Sequence, residues 1–167
     1  MASRTKRIVF SALLASLTCV ATMIIKIPTP LQGYINLGDC IVLLSAWTMG
    51  PLYGFAAAGV GSLLADLLSG YAVYAPVTLV IKGGMALIAY FLYRALKGKM
   101  KEIPAMIISA TVAELFMVGG YYLFEGIMYG FGASLVNIPA NLIQGVSGIV
   151  FGVILVKAIG KHISAER

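Results

Sequence analysis

Charge is scarce in this chain. Of 167 residues only 11% are Asp, Glu, Lys or Arg, six of them acidic, and there is one histidine and two cysteines. Soluble domains carry about a quarter of their residues as charges, so a water-facing globular fold is excluded. His162 lies beyond the last apolar run, and nothing in the sequence has the spacing of histidine or cysteine metal ligands. Cys19 and Cys40 sit in or beside apolar segments and read as small buried residues. No Ser or Cys has an apparent base, and no Gly-x-x-x-x-Gly-Lys-Ser/Thr loop is present, which leaves nucleophilic catalysis unsupported and gives the chain no P-loop of its own. Gly59-Val60-Gly61 followed by Ala65 imitates part of a dinucleotide fingerprint, but no strand precedes it.

Apolar surface takes the place of charge. The chain is 60% hydrophobic with a mean hydropathy of +0.98, and its apolar runs approach the roughly 20 residues that carry a helix across a bilayer. Alternating strands are missing, so the expected class is an all-α integral membrane protein rather than a barrel. The formal charge of +6 reports orientation, not nucleic acid. Arg4, Lys6 and Arg7 precede the first run; Arg94, Lys97, Lys99 and Lys101 separate two later ones; Lys157, Lys161 and Arg167 end the chain. An even number of crossings brings all three clusters to the cytoplasmic face. The expectation is one domain over residues 1–167, a bundle of six transmembrane helices with both termini cytoplasmic. The basic start could belong to a signal peptide, but the run continues to Lys26 without a convincing cleavage site and reads as the first span.

The stretch Pro28 to Tyr74 organises the rest. Pro28, Pro30 and Gly33 hold an outer loop after a first helix of about Lys6 to Lys26. A second helix, about Leu37 to Met49, is short for a span and is expected to be tilted or set partly in an outer vestibule. Gly50-Pro51 turns the chain at the inner face. The third helix, about Leu52 to Ser69, carries Ala57, Gly61 and Ala65 as a small-residue stripe suited to close packing. Tyr71 and Tyr74 lie in the next outer connection; Pro76 opens a fourth helix to about Leu96; Pro104 opens a fifth to about Phe124. An outer loop, Glu125 to Val136, leads to a sixth helix from about Asn137 to Ala158. No linker or internal repeat interrupts this frame.

Polar groups inside a bilayer are costly and are functional candidates by default. Here they gather in the outer half. Asn137, Asn141 and Gln144 share one face of the sixth helix; Glu114, Met117, Tyr121 and Glu125 form a stripe on the fifth, and Tyr74, Thr78 and Lys82 on the fourth. Together with Asp66 they point to an outward-facing pocket for a polar molecule with a ring. Each has a plainer reading: Lys82 with Asp66 as an ion pair between the third and fourth helices, Glu114 as a packed carboxyl, Lys26 as a snorkelling anchor, and Trp47, Tyr90 and Tyr93 as interfacial belt residues. In the first helix Ser11 with Ala15, and Ala12 with Ser16, suit either internal packing or docking of another protein.

Five ordered stretches carry a resemblance: Gly33-Tyr34-Ile35-Asn36-Leu37-Gly38-Asp39, Ala65-Asp66-Leu67-Leu68-Ser69-Gly70-Tyr71, Ala75-Pro76 with Ile81-Lys82-Gly83, Gly120-Tyr121-Tyr122-Leu123-Phe124-Glu125, and Asn137-Ile138-Pro139-Ala140-Asn141-Leu142-Ile143-Gln144-Gly145. With them the whole chain resembles the substrate-binding S components of energy-coupling-factor (ECF) vitamin transporters, in the group with riboflavin, hydroxymethylpyrimidine and pyridoxine-type members. The resemblance implies a vitamin-binding subunit in a bacterial plasma membrane that joins a transmembrane coupling subunit and two cytoplasmic ATPases and needs no cofactor. It also implies an Ala-x-x-x-Ala docking pattern, loosened here to Ser11/Ala15 and Ala12/Ser16. The binding residues carried over are Tyr34, Asn36, Asp39, Asp66, Tyr74, Lys82, Tyr121, Glu125, Asn141 and Gln144, with Asp39 and Asp66 the most scaffold-like, as carboxylates able to cap helix ends. A pyridoxine-like or hydroxymethylpyrimidine-like cargo is preferred over riboflavin. The rivals are a small intramembrane enzyme using Asp66, Lys82 and Glu114, and a stand-alone proton-coupled carrier with Glu114 as its proton site.

Overall fold

A computed structural model describes residues 4–31 and 33–163, with side chains described through Ile159; the expected inner-tail roles of Lys161, His162 and Arg167 lie outside those side chains. The order is α1 (Arg4–Ile24), a small antiparallel hairpin β1 (Ile27–Pro28) and β2 (Tyr34–Ile35), α2 (Gly38–Met49), α3 (Pro51–Leu68), α4 (Ala75–Leu96), α5 (Glu102–Tyr129), the single turn α6 (Phe131–Ser134) running into a 3-10 turn at Leu135–Asn137, and α7 (Ile138–Ile163). Among the described residues five helical stretches, those of α1, α3, α4, α5 and α7, are long and apolar enough to cross a bilayer; α2 is a shorter apolar helix beside them. The large apolar side chains facing outward, among them Leu13, Leu17, Leu115, Phe116, Val150 and Ile154, are those a bilayer solvates and water does not.

The short α2 lies inside the bundle. At about 1.5 Å per residue it spans only about 18 Å, yet of its residues only Trp47 escapes burial. A helix that is hydrophobic all round has no face to offer water and is stable when surrounded. Here α7, α3, α1 and α4 pack around it, with Val42, Leu43, Leu44 and Ala46 fully enclosed. The long helices are wrapped around this short one.

Small residues let the walls close. Gly54, Ala57, Ala58, Gly61 and Ala65 are buried along α3, and a Cβ on Gly61 would collide with the Ala15 carbonyl of α1. Ser11 is buried on the same side and donates to the Tyr53 carbonyl at 2.9 Å. Ser11 and Ala15 therefore face α3 inside the bundle, whereas Ala12 and Ser16 are exposed. The outer loop expected over 125–136 is mostly helical, because α5 continues through Gly126-Ile127-Met128-Tyr129 before Gly130 ends it. Its apolar residues extend the lipid-facing side of α5 and leave no polar break at Glu125.

Polar and aromatic contacts join the elements at both ends of the bundle. At the inner face Lys157 of α7 meets Glu102 of α5 at 3.4 Å, and Tyr93 donates to Glu102 at 3.3 Å. Tyr93 is buried, and Trp47 lies beside it, ring centroids 6.4 Å apart, donating to Ser109 at 3.1 Å. These two aromatics thus belong to the inner core and not to an interfacial belt. At the outer face Lys26 donates to Ser69 at 3.0 Å, its ammonium 5.9 Å from the Tyr34 ring.

Candidate functional site

Three polar stripes meet near the outer end. Tyr74, just before α4, and Thr78 and Lys82 within it are all buried, as are Glu114, Met117 and Glu125 of α5 and Asn137, Asn141 and Gln144 in the segment opening α7. Helical spacing gives each stripe one face, and α2 holds those faces toward a common centre. The hairpin and the ends of α1 and α3 complete the enclosure. The resulting cavity contains about 490 Å³ of empty space, its open mouth included.

At its deep end Lys82 forms an ion pair with Asp39, both side chains almost fully enclosed. This corrects the expected pairing of Lys82 with Asp66. Asp39 stands in the first turn of α2, and because α2 is central, that turn points at α4; the helix N-terminus further favours a carboxylate there. The second Asp39 oxygen accepts from Gln144 Nε2 at 2.6 Å. Gln144 Oε1 in turn accepts from the Asn36 backbone N–H at 2.9 Å and from its side-chain amide at 3.3 Å. Asp39 caps no backbone donor of α2; Asn36 Oδ1 instead accepts from the Gly38 N–H at 2.8 Å. A buried ion pair repays its desolvation only when its remaining hydrogen-bonding capacity is used. Here the charge-assisted bond from Gln144 occupies the second carboxylate oxygen, and Asn36 holds that amide in place. The Lys82 ammonium also lies 5.6 Å from the centre of the Tyr121 ring, within cation–π range.

The outer side is lined differently. Tyr34 of β2 donates to Asp66 Oδ1 at 2.6 Å and packs on Tyr71, ring centroids 4.7 Å apart. Burial, followed by the neighbouring Asp66 charge and the hydrogen bond to it, raises the Tyr34 phenol well above its ordinary pKa, so Tyr34 remains a donor. The Thr78 hydroxyl, which also neighbours Asp66, is engaged with Tyr121 at 3.1 Å. Tyr74 donates to the Leu31 carbonyl at 2.7 Å and lies 3.4 Å from Glu125 Oε1. A phenol has one hydrogen, and the shorter contact takes it. Burial is also the main reason that the Tyr74 pKa is raised. Asn137 donates to Glu125 Oε1 at 2.9 Å.

Tyr34, Asn36, Asp66, Tyr74, Lys82, Tyr121, Glu125, Asn141 and Gln144 all line this one cavity. Asp39 is absent from the lining and supports Lys82 and Gln144. Glu114 also lies outside it, with neither carboxyl oxygen hydrogen-bonded. It is packed against α7 so closely that a Cβ on Gly148 would come within 2.8 Å of both Glu114 Oε1 and the Asp39 Cβ. Thr22, Thr29 and Ser62 line the cavity without having been expected there. Thr22 was findable in principle, since it follows Thr18 by four residues on the inward face of α1; isolated hydroxyls such as Ser62 give no such signal. Among the described residues no group of three His, Cys, Asp or Glu is arranged to hold a metal ion. The assembled chemistry is that of recognition: aromatic faces, fixed amides and buried charges around one outer cavity.

Comparison with known proteins identifies the family. A protein of Pyrococcus woesei described as "Uncharacterized protein in gap 3'region" is 37% identical over 146 residues, 84% of this chain and 95% of its own length. The "Thiamine precursor transporter HmpT" of Lactococcus lactis subsp. cremoris is 26% identical over 152 residues, 90% of this chain and 85% of its own length. The fold matches a solved S component of a bacterial ECF transporter with a TM-score of 0.77, covering 99% of this chain and all of that one at 23% identity. The family model for the ECF-type riboflavin transporter S component spans residues 2–161. With nearly its whole length so matched, the chain belongs to the ECF-type riboflavin transporter S component family, whose members are multi-pass membrane transport subunits and not enzymes.

Proposed function

We propose that this S component captures a small heterocyclic vitamin or vitamin precursor from the outer side of the membrane, with hydroxymethylpyrimidine-like cargo first, pyridoxine-like next and riboflavin after them. The observation that carries the reading is the convergence of the three polar stripes on one outer cavity, anchored by the buried Lys82, Asp39 and Gln144 unit. Tyrosines supply flat apolar contact for a ring, and Asn36, Asn141 and Gln144 fix its orientation. The preference among cargoes is supported by the Lactococcus relative, a thiamine precursor transporter.

Energy for uptake comes from partners, a transmembrane coupling subunit and two ATPases. We assign the docking face on α1 to Ala12 and Ser16, small residues exposed on the outside of the bundle, with Ser11 and Ala15 serving internal packing. Reconstitution tests the reading. Vesicles holding this chain alone should bind cargo without accumulating it, and should accumulate it when the coupling and ATPase subunits and ATP are added. Accumulation driven by a proton gradient with this chain alone, or turnover of the bound compound, would overturn it.

A further inference from the structure

The cavity's charges are unevenly spent. At the deep end every strong group has a partner: Lys82 is committed to Asp39, and both ends of the Gln144 amide are used. On the outer side two carboxylates are only half satisfied. Asp66 Oδ1 receives the Tyr34 hydroxyl and Glu125 Oε1 receives the Asn137 amide, but Asp66 Oδ2 and Glu125 Oε2 have no hydrogen-bond partner. Asp66 is 4% exposed and Glu125 3%, and both line the cavity. A buried acceptor without a donor costs about 1–3 kcal/mol, more when charged, so two such oxygens, carried by residues that line one cavity, favour a guest that brings donors.

From this we infer that Asp66 and Glu125 determine specificity, and that the cargo is a heterocycle bearing amine or hydroxyl donors toward them, an aminoheterocycle in preference to one edged with carbonyls. The inference rests on the transport reading above and narrows it. A ring amine satisfies a bare carboxylate oxygen, and any positive charge it carries offsets the acidic lining. A carbonyl in the same place opposes acceptor to acceptor and leaves the carboxylate buried without a donor. Sites built around a hydrogen bond reject isosteres lacking it far more strongly than apolar pockets reject a missing methylene. Tyr34 and Tyr74 reinforce the bias, since their hydroxyl hydrogens are already committed to Asp66 and Leu31.

The test is calorimetric titration of the full-length, detergent-purified protein with hydroxymethylpyrimidine carrying its ring amine and with the matched compound in which a ring carbonyl replaces that amine. The unaltered protein should bind the amine form at least about tenfold more tightly. Asp66→Asn and Glu125→Gln each place an amide donor where only acceptors stood, so at least one should narrow that ratio severalfold by improving binding of the carbonyl form. Equal binding of the two compounds by the unaltered protein, or preference for the carbonyl form, overturns the inference and leaves the transport reading standing. Failure of the unaltered protein to bind either compound or any vitamin in a parallel series overturns both. Because the decisive comparison uses the unaltered chain, poor folding of a variant does not remove it.

Discussion

The same helices lead two different lives along their length. In the inner half, α4 and α5 present Met85, Ala86, Ala89, Met106 and Ala110, all buried, and the interior closes on itself. Farther outward, beginning about one turn from Met85, the same two helices present Lys82 and Thr78, and Tyr121 and Glu125, and the interior opens into a cavity. The inner half is held by close packing, where small residues let helices approach and dispersion does the rest. The outer half is held by a smaller number of directed polar bonds joining the hairpin, α2, α4 and α7. Binding machinery and scaffold are thus separated by depth, and a substitution's effect should depend on which half it strikes.

The largest effect is expected at Lys82. Lys82→Met leaves Asp39 buried without its cation, a change worth about 3–5 kcal/mol of stability, and should weaken cargo binding at least about tenfold. Thermal melting and ligand titration of the same sample read both. Adding Asp39→Asn should recover much of the melting temperature and little of the affinity; recovery of both would make Lys82 a scaffold residue.

Met106→Ala strikes the inner half at a fully buried side chain. It should cost about 2–5 kcal/mol through lost contacts and a cavity while leaving affinity in the surviving folded protein unchanged. A large loss of affinity would break the separation by depth. Tyr34→Phe should be milder, about 1–3 kcal/mol from leaving Asp66 Oδ1 without its donor, and should change affinity because the hairpin lines the cavity. Smallest is Lys157→Ala. Its ion pair with Glu102 is about half exposed on both sides, so stability should move by less than about 1 kcal/mol and binding not at all.

Most of the outer half was legible in the sequence because helical periodicity reports faces directly: Asn137, Asn141 and Gln144, and Tyr74, Thr78 and Lys82, read as stripes and fold as stripes. Which stripe faces which was not legible. The Lys82 and Asp39 pair depends on α2 lying at the centre, and a helix apolar on every side carries no periodic mark of where its neighbours stand. Likewise Ser11/Ala15 and Ala12/Ser16 were equivalent as patterns, and only the rotation of α1 against α3 turned one inward and the other out. The helical turns after Glu125 were hidden for another reason, since Gly126, Gly130 and Gly132 read as a loop, while Phe131 packs against Gly126 and the Tyr122 ring of α5.

The central claim is that the outer cavity holds one small heterocycle, bound and not transformed. Native mass spectrometry of the detergent-purified protein, after incubation with a vitamin mixture and chemical identification of what is retained, tests it most directly. The account predicts one unmodified heterocyclic vitamin or precursor at one per chain, lost in Lys82→Met and kept in Met106→Ala. Retention of a chemically altered product, or equal retention by both variants, would contradict it.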